Sequence, residues 1–278
     1  MLVDTTHLRE HLNDPNWVIF DCRHDLFDHQ RGSLLYAEGH VPGAYFVPVE
    51  TALAGTKTGK NGRHPLPDPG AFAAFLAQHG VTVNSQIVAY DDVGGQYAAR
   101  LWWLARWIGL PHVAVLDGGF SLWVAQGHPV SLQSPQGRDG SVIARPDPKM
   151  VLSVDDVLVG VTSGRIRVVD ARAPERFRGD TEPIDPVAGH IPAARNRFFK
   201  LNLNPDLTMR PVSELRPEFE AVMGDFRATD VVHQCGSGVT ACANLLAMEH
   251  AGLRGSRLYV GSWSEWVADP TRPVARGS

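Results

Sequence analysis

A chain of 278 residues with 26 Lys and Arg against 30 Asp and Glu carries a net charge of −4, which disfavours a nucleic-acid binder that works by neutralising phosphates. An apolar fraction of 44% with 20% charged residues is ordinary for a globular protein and excludes wholesale disorder and collagen-like structure. No apolar stretch approaches the roughly 20 residues of a bilayer span, residues 1–7 have neither the basic nor the apolar region of a secretion signal, and three cysteines without a C-x-x-C pair exclude a disulfide scaffold; the cytoplasm is the expected compartment.

Near the start, His7-Leu8-Arg9-Glu10-His11 matches the H-x-x-E-H pattern of inverted zinc peptidases, with both histidines on one helix face. A metal-binding hydrolase through His7, Glu10 and His11 is therefore one reading. Next, the apolar strand Trp17-Val18-Ile19-Phe20 runs into Asp21-Cys22-Arg23, and Gly39-His40-Val41-Pro42 follows. Asp68-Pro69 opens a helix carrying Phe72, Phe75 and Leu76, and residues 86–90 form a continuous apolar strand, buried on both faces, that ends at Asp91. Residues 131–149, with Pro135, Gly137, Gly140, Pro146 and Pro148, lack periodicity and read as a linker.

The same signals then return. Ile166-Arg167-Val168-Val169 runs into Asp170-Ala171-Arg172, Gly189-His190-Ile191-Pro192 follows, and the strand Val231-Val232-His233-Gln234 ends at Cys235, where the first copy carries Asp91. Leu116-Asp117-Gly118-Gly119-Phe120 through Trp123 is answered by Tyr259-Val260-Gly261-Ser262-Trp263 through Trp266. Four blocks in one order, about 150 residues apart, imply two tandem copies of one domain rather than a solenoid. The expected units are residues 1–130, lacking the cysteine, and 150–278, carrying it. Alternating strands and helices make each an α/β domain, a mostly parallel sheet flanked by helices. Residues 269–278, rich in Pro and Arg, are expected to pack loosely or fray.

The chemistry concentrates in Cys235-Gly236-Ser237-Gly238-Val239-Thr240-Ala241, set between a strand and a helix. Glycines and small side chains allow a tight loop whose N–H groups point inward at the helix N-terminus, an anion site that favours a thiolate over a thiol. Cys22 and Cys242 read as small buried hydrophobes, and Asp21, Arg23, Asp170 and Arg172 as structural ion pairs. A phosphatase loop would also cradle an anion, but it closes with an Arg about six residues after the cysteine, where this chain has Ala241. A non-catalytic binding module is the remaining alternative.

The paired Asp-x-Arg and Gly-His-x-Pro blocks with a cysteine loop before the last helices resemble the two-domain rhodanese sulfurtransferases over nearly the whole chain. The loop itself is similar to that of the 3-mercaptopyruvate sulfurtransferases. The resemblance implies that Cys235 takes up a sulfane sulfur as a persulfide and passes it to a thiol or cyanide, with a thioredoxin-like reductant as a further partner and no cofactor or metal. It implies a relay of Ser237, His64 and Glu50, substrate contacts from Arg176 and from Gly236, Gly238, Val239 and Thr240, and a site between the copies to which the first contributes His64 and Glu50. The second arginine that such enzymes carry before the Gly-His block is missing from Glu182-Pro183-Ile184-Asp185-Pro186-Val187. Gly236 and Ser237 offer no cation to the dianion thiosulfate, whereas one guanidinium suits the single carboxylate of mercaptopyruvate; thiosulfate is the alternative donor.

Overall fold

The computed structural model describes residues 1–277, and the duplicated sequence pattern reappears as one sheet built twice. In the first, β1 (Leu2–Val3), β2 (Trp17–Asp21), β3 (Tyr45–Phe46), β4 (Gln86–Tyr90) and β5 (Val113–Leu116) pair in the order β1-β5-β4-β2-β3. In the second, β6 (Val151–Leu152), β7 (Arg167–Asp170), β8 (Arg195–Asn196), β9 (Val231–Gln234) and β10 (Arg257–Tyr259) pair in the corresponding order β6-β10-β9-β7-β8. Every pairing is parallel, so the α/β expectation holds in both copies. The apolar runs become the central strands β4 and β9, buried on both faces as parallel strands covered by helices must be.

Two compact units contain these sheets. One comprises residues 1–55, 66–147 and 203–209; the other comprises residues 56–65, 148–202 and the chain from 210 onward. The repeated motifs lock each unit in the same way. Arg23 forms a two-pronged bond to Asp21, with Nη2 to Oδ2 at 2.6 Å, and donates from the same nitrogen to the Gly39 carbonyl at 2.6 Å. Arg172 repeats this with Asp170 at 2.7 Å and the Gly189 carbonyl at 2.8 Å. His40 stacks on Tyr36 and bonds its carbonyl at 2.8 Å; His190 does the same with Phe177. These buried, paired charges tie a strand end to the Gly-His corner, as the structural reading of Asp21, Arg23, Asp170 and Arg172 expects.

Behind each central strand lies a helix that is buried almost all round, Gln96–Trp107 in the first unit and Ala241–His250 in the second. The helix opened by Asp68 spans Pro69–Gln78, with Asp68 accepting from the Ala71 N–H at 2.8 Å and Phe72 and Leu76 buried. Two segments differ from their expected looseness. Residues 131–147 are stitched along the first unit through Ser131 with His40, Ser141 with Thr82, and the Asp147 N–H with the Trp107 carbonyl at 2.9 Å. Residues 269–277 do not fray: Trp266 Nε1 donates to the Pro273 carbonyl at 2.9 Å, Ala275 bridges His190, and the Gly277 N–H reaches the Arg178 carbonyl. Both segments bond residue by residue to existing elements, so they carry no periodicity of their own. Ser278 lies outside the described residues. No helix among the described residues is long and apolar enough to cross a membrane.

Candidate active site

Cys235 follows directly on β9, at the carboxyl end of the central strand where open parallel sheets present their ligand sites. The loop it opens is held from behind. The Cys235 N–H donates to Ser262 Oγ at 3.1 Å, and the Cys235 and Gly236 carbonyls accept from the Trp263 and Ser264 N–H groups, each at 3.0 Å. Gly238 has φ +81°, and a Cβ there would lie 2.3 Å from the Val260 carbonyl oxygen, so only glycine fits. That turn aims the Gly238 N–H at Cys235 Sγ, 3.2 Å away. Val239 is buried, and Thr240 precedes the helix that carries Cys242, whose thiol donates to the Gly238 carbonyl at 3.4 Å. The inward-pointing N–H that the loop's glycines lead one to expect is thus present at the sulfur.

Ser237 and His64 meet in the second unit. Ser237 Oγ lies 2.7 Å from His64 Nδ1, and both side chains are buried. His64 reaches this position because residues 56–65 pack as part of that unit. Gly62, at φ +81°, approaches so closely that a Cβ would sit 2.6 Å from the Gly261 carbonyl oxygen, and the Arg63 N–H donates to Ser264 Oγ at 3.1 Å. The segment that braces the cysteine loop therefore also fixes the histidine.

Beside the loop lies a cluster of charges. Arg176, on the short helix Pro174–Arg178, donates from Nη2 to Glu182 Oε1 at 2.6 Å and to Asp185 Oδ2 at 3.4 Å, and from Nε to Glu182 Oε2 at 3.2 Å. Arg172 Nη1 also reaches Glu182, and Arg63 Nη1 pairs with Asp185 Oδ1. Burial disfavours the Glu182 carboxylate, but bonds from Arg176 and from the Asp185 and Ile184 N–H groups outweigh it and hold its pKa below the usual range. For Asp185 the balance falls the other way: burial, reinforced by the neighbouring Glu182, raises its pKa against the pull of Arg63. Sequence reasoning assigned no part to Arg63, Glu182 or Asp185. Only the position of Arg63 next to His64 hinted at it.

Glu50, on the helix Val49–Ala52 of the first unit, has Oε1 3.7 Å from His24 Nε2 and 3.6 Å from His29 Nδ1. Among the described residues, this trio alone brings three potential metal-ligating side chains together, with atoms within 4.8 Å of one another. His24 and Glu50 each have further partners. The His7-x-x-Glu10-His11 motif makes no such cluster, which corrects the hydrolase alternative. The helix Thr5–Glu10 ends before His11; the His11 ring stacks on Trp17 at 4.2 Å, and its Nδ1 bonds the His7 carbonyl at 2.9 Å. The His7 and His11 rings do lie side by side, 4.5 Å apart, but both pack against Trp17 and form no three-ligand cluster with Glu10 among the described residues.

Two matched α/β units, one with a thiol in a backbone cradle after its central strand, define a sulfur-handling class of protein. The rhodanese-like domain family matches residues 4–126 and 153–269, and the chain belongs to that family. It is similar to a Pseudomonas aeruginosa protein named "Probable 3-mercaptopyruvate sulfurtransferase", at 42% identity over 99% of this chain and 98% of the other. It is also similar to the thiosulfate sulfurtransferase of Cricetulus griseus, at 34% identity over 87% of this chain and 82% of the other. Among solved structures, the 3-mercaptopyruvate sulfurtransferase from Leishmania major superposes with a TM-score of 0.84 at 29% identity, covering 96% of this chain and 74% of that one. The chain is accordingly a sulfurtransferase, an enzyme that takes sulfur from a donor and delivers it to a thiol acceptor.

Proposed function

We propose that Cys235 carries the sulfur as a persulfide and that 3-mercaptopyruvate is the preferred donor. The observation that carries this reading is the pairing of the cradled Cys235 sulfur with the Ser237–His64 hydrogen bond in one unit. The thiolate attacks the donor's sulfur, a sulfur–sulfur bond forms, and the donor's carbon–sulfur bond breaks with its electron pair remaining on carbon as the enolate of pyruvate. That enolate needs a proton. The Ser237 hydroxyl, backed by His64, is placed to supply it. Arg176 anchors the donor carboxylate, and the loop residues Gly236, Gly238, Val239 and Thr240 shape the pocket floor.

Charge supports the choice of donor. The guanidinium groups of Arg63, Arg172 and Arg176 are matched by the carboxylates of Asp170, Glu182 and Asp185, leaving no surplus positive charge for a dianion. A monoanion with a polarisable ketone fits this balance better than thiosulfate does. The persulfide is discharged to a thiol or to cyanide; with a thioredoxin-like dithiol, the dithiol is oxidised to a disulfide while the sulfur leaves as hydrogen sulfide. A reducing cytoplasm suits such a carrier, since it keeps the thiol free.

The test runs 3-mercaptopyruvate and thiosulfate in parallel. Donor treatment should raise the intact mass by one sulfur, roughly 32 Da, reversibly with dithiothreitol. Cys235→Ser should show neither the mass increase nor turnover. Persulfide formation in that variant would overturn the assignment of the carrier, and a higher kcat/KM with thiosulfate would overturn the choice of donor.

A further inference from the structure

We propose that His24, His29 and Glu50 form a binding site for zinc in the first unit, and that loading it slows sulfur transfer by taking up the Glu50 carboxylate. The binding stands on geometry and donor chemistry; the slowing rests on the reading of Glu50 as the carboxylate of the relay.

The distances separate a ligand cluster from ordinary ion pairing. Glu50 Oε1 faces two imidazole nitrogens at once, His24 Nε2 at 3.7 Å and His29 Nδ1 at 3.6 Å. Both separations exceed the roughly 2.7 to 3.2 Å of a hydrogen bond. They lie close to the edge of a zinc tetrahedron, about 3.3 to 3.5 Å when each ligand sits roughly 2.0 to 2.2 Å from the metal. The three ligating atoms are all within 4.8 Å of one another, so small turns of the side chains bring each to a shared cation. Two imidazoles and a carboxylate are donors that zinc takes, with the fourth position left to water. Without a thiolate or thioether in the set, nothing draws it towards copper(I).

The fold arranges these side chains in advance. His24 directly follows the locked Arg23, and its buried ring stands edge-on to Tyr97 at 5.0 Å. The chain between His24 and His29 is a turn pinned by Asp25, whose Oδ1 accepts from the Phe27 and Asp28 N–H groups at 2.8 and 3.0 Å. Asp25 and Asp28 also add negative charge to that turn, which favours a cation. Glu50, on the helix Val49–Ala52, is largely covered, whereas the His29 side chain is more than half exposed. Two ligands are thus held inside, and the third stands at the surface, where it gives the ion a way in and closes behind it. A carboxylate bound to zinc no longer orients an imidazole, so the loaded enzyme resembles Glu50→Gln. Zinc captured directly by the thiol of Cys235 is a different event, because it does not need His29.

The experiment titrates zinc by calorimetry into the full chain carrying Cys235→Ser, which removes the competing thiol, alone and with His29→Asn or His24→Gln added. One equivalent should bind, and each added substitution should weaken binding by about tenfold or more, since even an outer partner of a ligand is worth that much. In the enzyme that keeps its thiol, loading with zinc and removing the excess should lower kcat with 3-mercaptopyruvate by about tenfold, the loss expected of Glu50→Gln, and EDTA should restore it. His29→Asn should turn over alike with and without the metal. Should His24→Gln fold poorly by thermal melting, the exposed His29 variant decides. No binding by Cys235→Ser, binding unchanged by His29→Asn, no slowing of the loaded enzyme, or equal slowing of His29→Asn would each overturn the inference. Unaltered turnover of Glu50→Gln without metal would instead sink the relay reading, which the titration does not depend on.

Discussion

The loops after β4 and β9 occupy the same place in the two units and make opposite use of it. In the first, the Asp91 carboxylate folds back into the loop and accepts from the N–H groups of Val93, Gly95, Tyr97 and Ala98 at 2.7 to 3.1 Å. In the second, the corresponding position is Cys235, whose sulfur accepts from the Gly238 N–H at 3.2 Å. Even the anchoring behind the loop repeats: the Asp91 carbonyl accepts from Phe120 as the Cys235 carbonyl accepts from Trp263. A parallel strand that turns sharply into a helix makes an anion cradle whatever the side chain. A cradle filled by its own carboxylate is structural; on the proposed function, the one lined by a thiol is where the sulfur is received.

The sharpest way to break this comparison is to write the first loop into the second. Cys235→Asp should abolish sulfur transfer to background with either donor while the protein still unfolds cooperatively, measured by turnover and by denaturant titration. Appreciable turnover in that variant would end the view that the filling of the cradle separates the two units. Somewhat smaller effects are expected from the proton-supplying side. Ser237→Ala and His64→Ala should lower kcat with 3-mercaptopyruvate by roughly 10² to 10³, and Glu50→Gln, the carboxylate of the expected relay, by about tenfold. With thiosulfate, whose sulfite leaving group needs no proton, the same variants should lose far less. Equal losses with both donors would show that these residues support the loop rather than the protonation step.

In the first unit the cost of emptying the cradle is one of stability. Asp91→Ala strands four loop N–H groups, those of Tyr97 and Ala98 buried, and should destabilise the fold by about 2 to 4 kcal/mol, read from the shift in denaturant midpoint, with little change in KM for the donor. A pH-dependent difference lies two residues before the thiol. Burial, with the charge of Arg197 adding to it, lowers the pKa of His233 to about 3, against about 6.5 in an unfolded chain. The unfolded state therefore binds the extra proton between these values, so stability is full above about pH 6.5 and falls with acidity by about 1.4 kcal/mol per pH unit. His233→Leu should flatten that slope between about pH 6 and pH 4, measured by chemical denaturation across pH.

Much of this arrangement was legible in the chain. The duplicated blocks imply two like sheets, and continuous apolar runs such as residues 86–90 can sit only in the middle of them. The Cys235 loop was legible because glycines bracket the thiol, whereas the pairing of Ser237 with His64 was expected only from the family resemblance; the structure brings the two within 2.7 Å. What escaped notice depends on pairs far apart in sequence. Arg63 meets Asp185 122 residues away, and no pattern in either neighbourhood announces the partner. The stitched course of residues 131–147 was hidden for a related reason, since each of its bonds goes to a different element. Reading Asp91 as a mere absence of cysteine missed its role, because a carboxylate turned into its own loop looks no different in sequence from one facing water.

The division of the chain into compact units has a consequence for anyone who cuts it. A fragment beginning near residue 150 would contain the thiol loop, Arg176 and every strand of the second sheet. It would lack residues 56–65, and with them Arg63 and His64. Conversely, residues 203–209 belong to the first unit although they lie deep in the second repeat. The duplicated halves are therefore no longer separable modules: each has lent the other a piece, and a gene split at the repeat boundary would express a cysteine without its histidine.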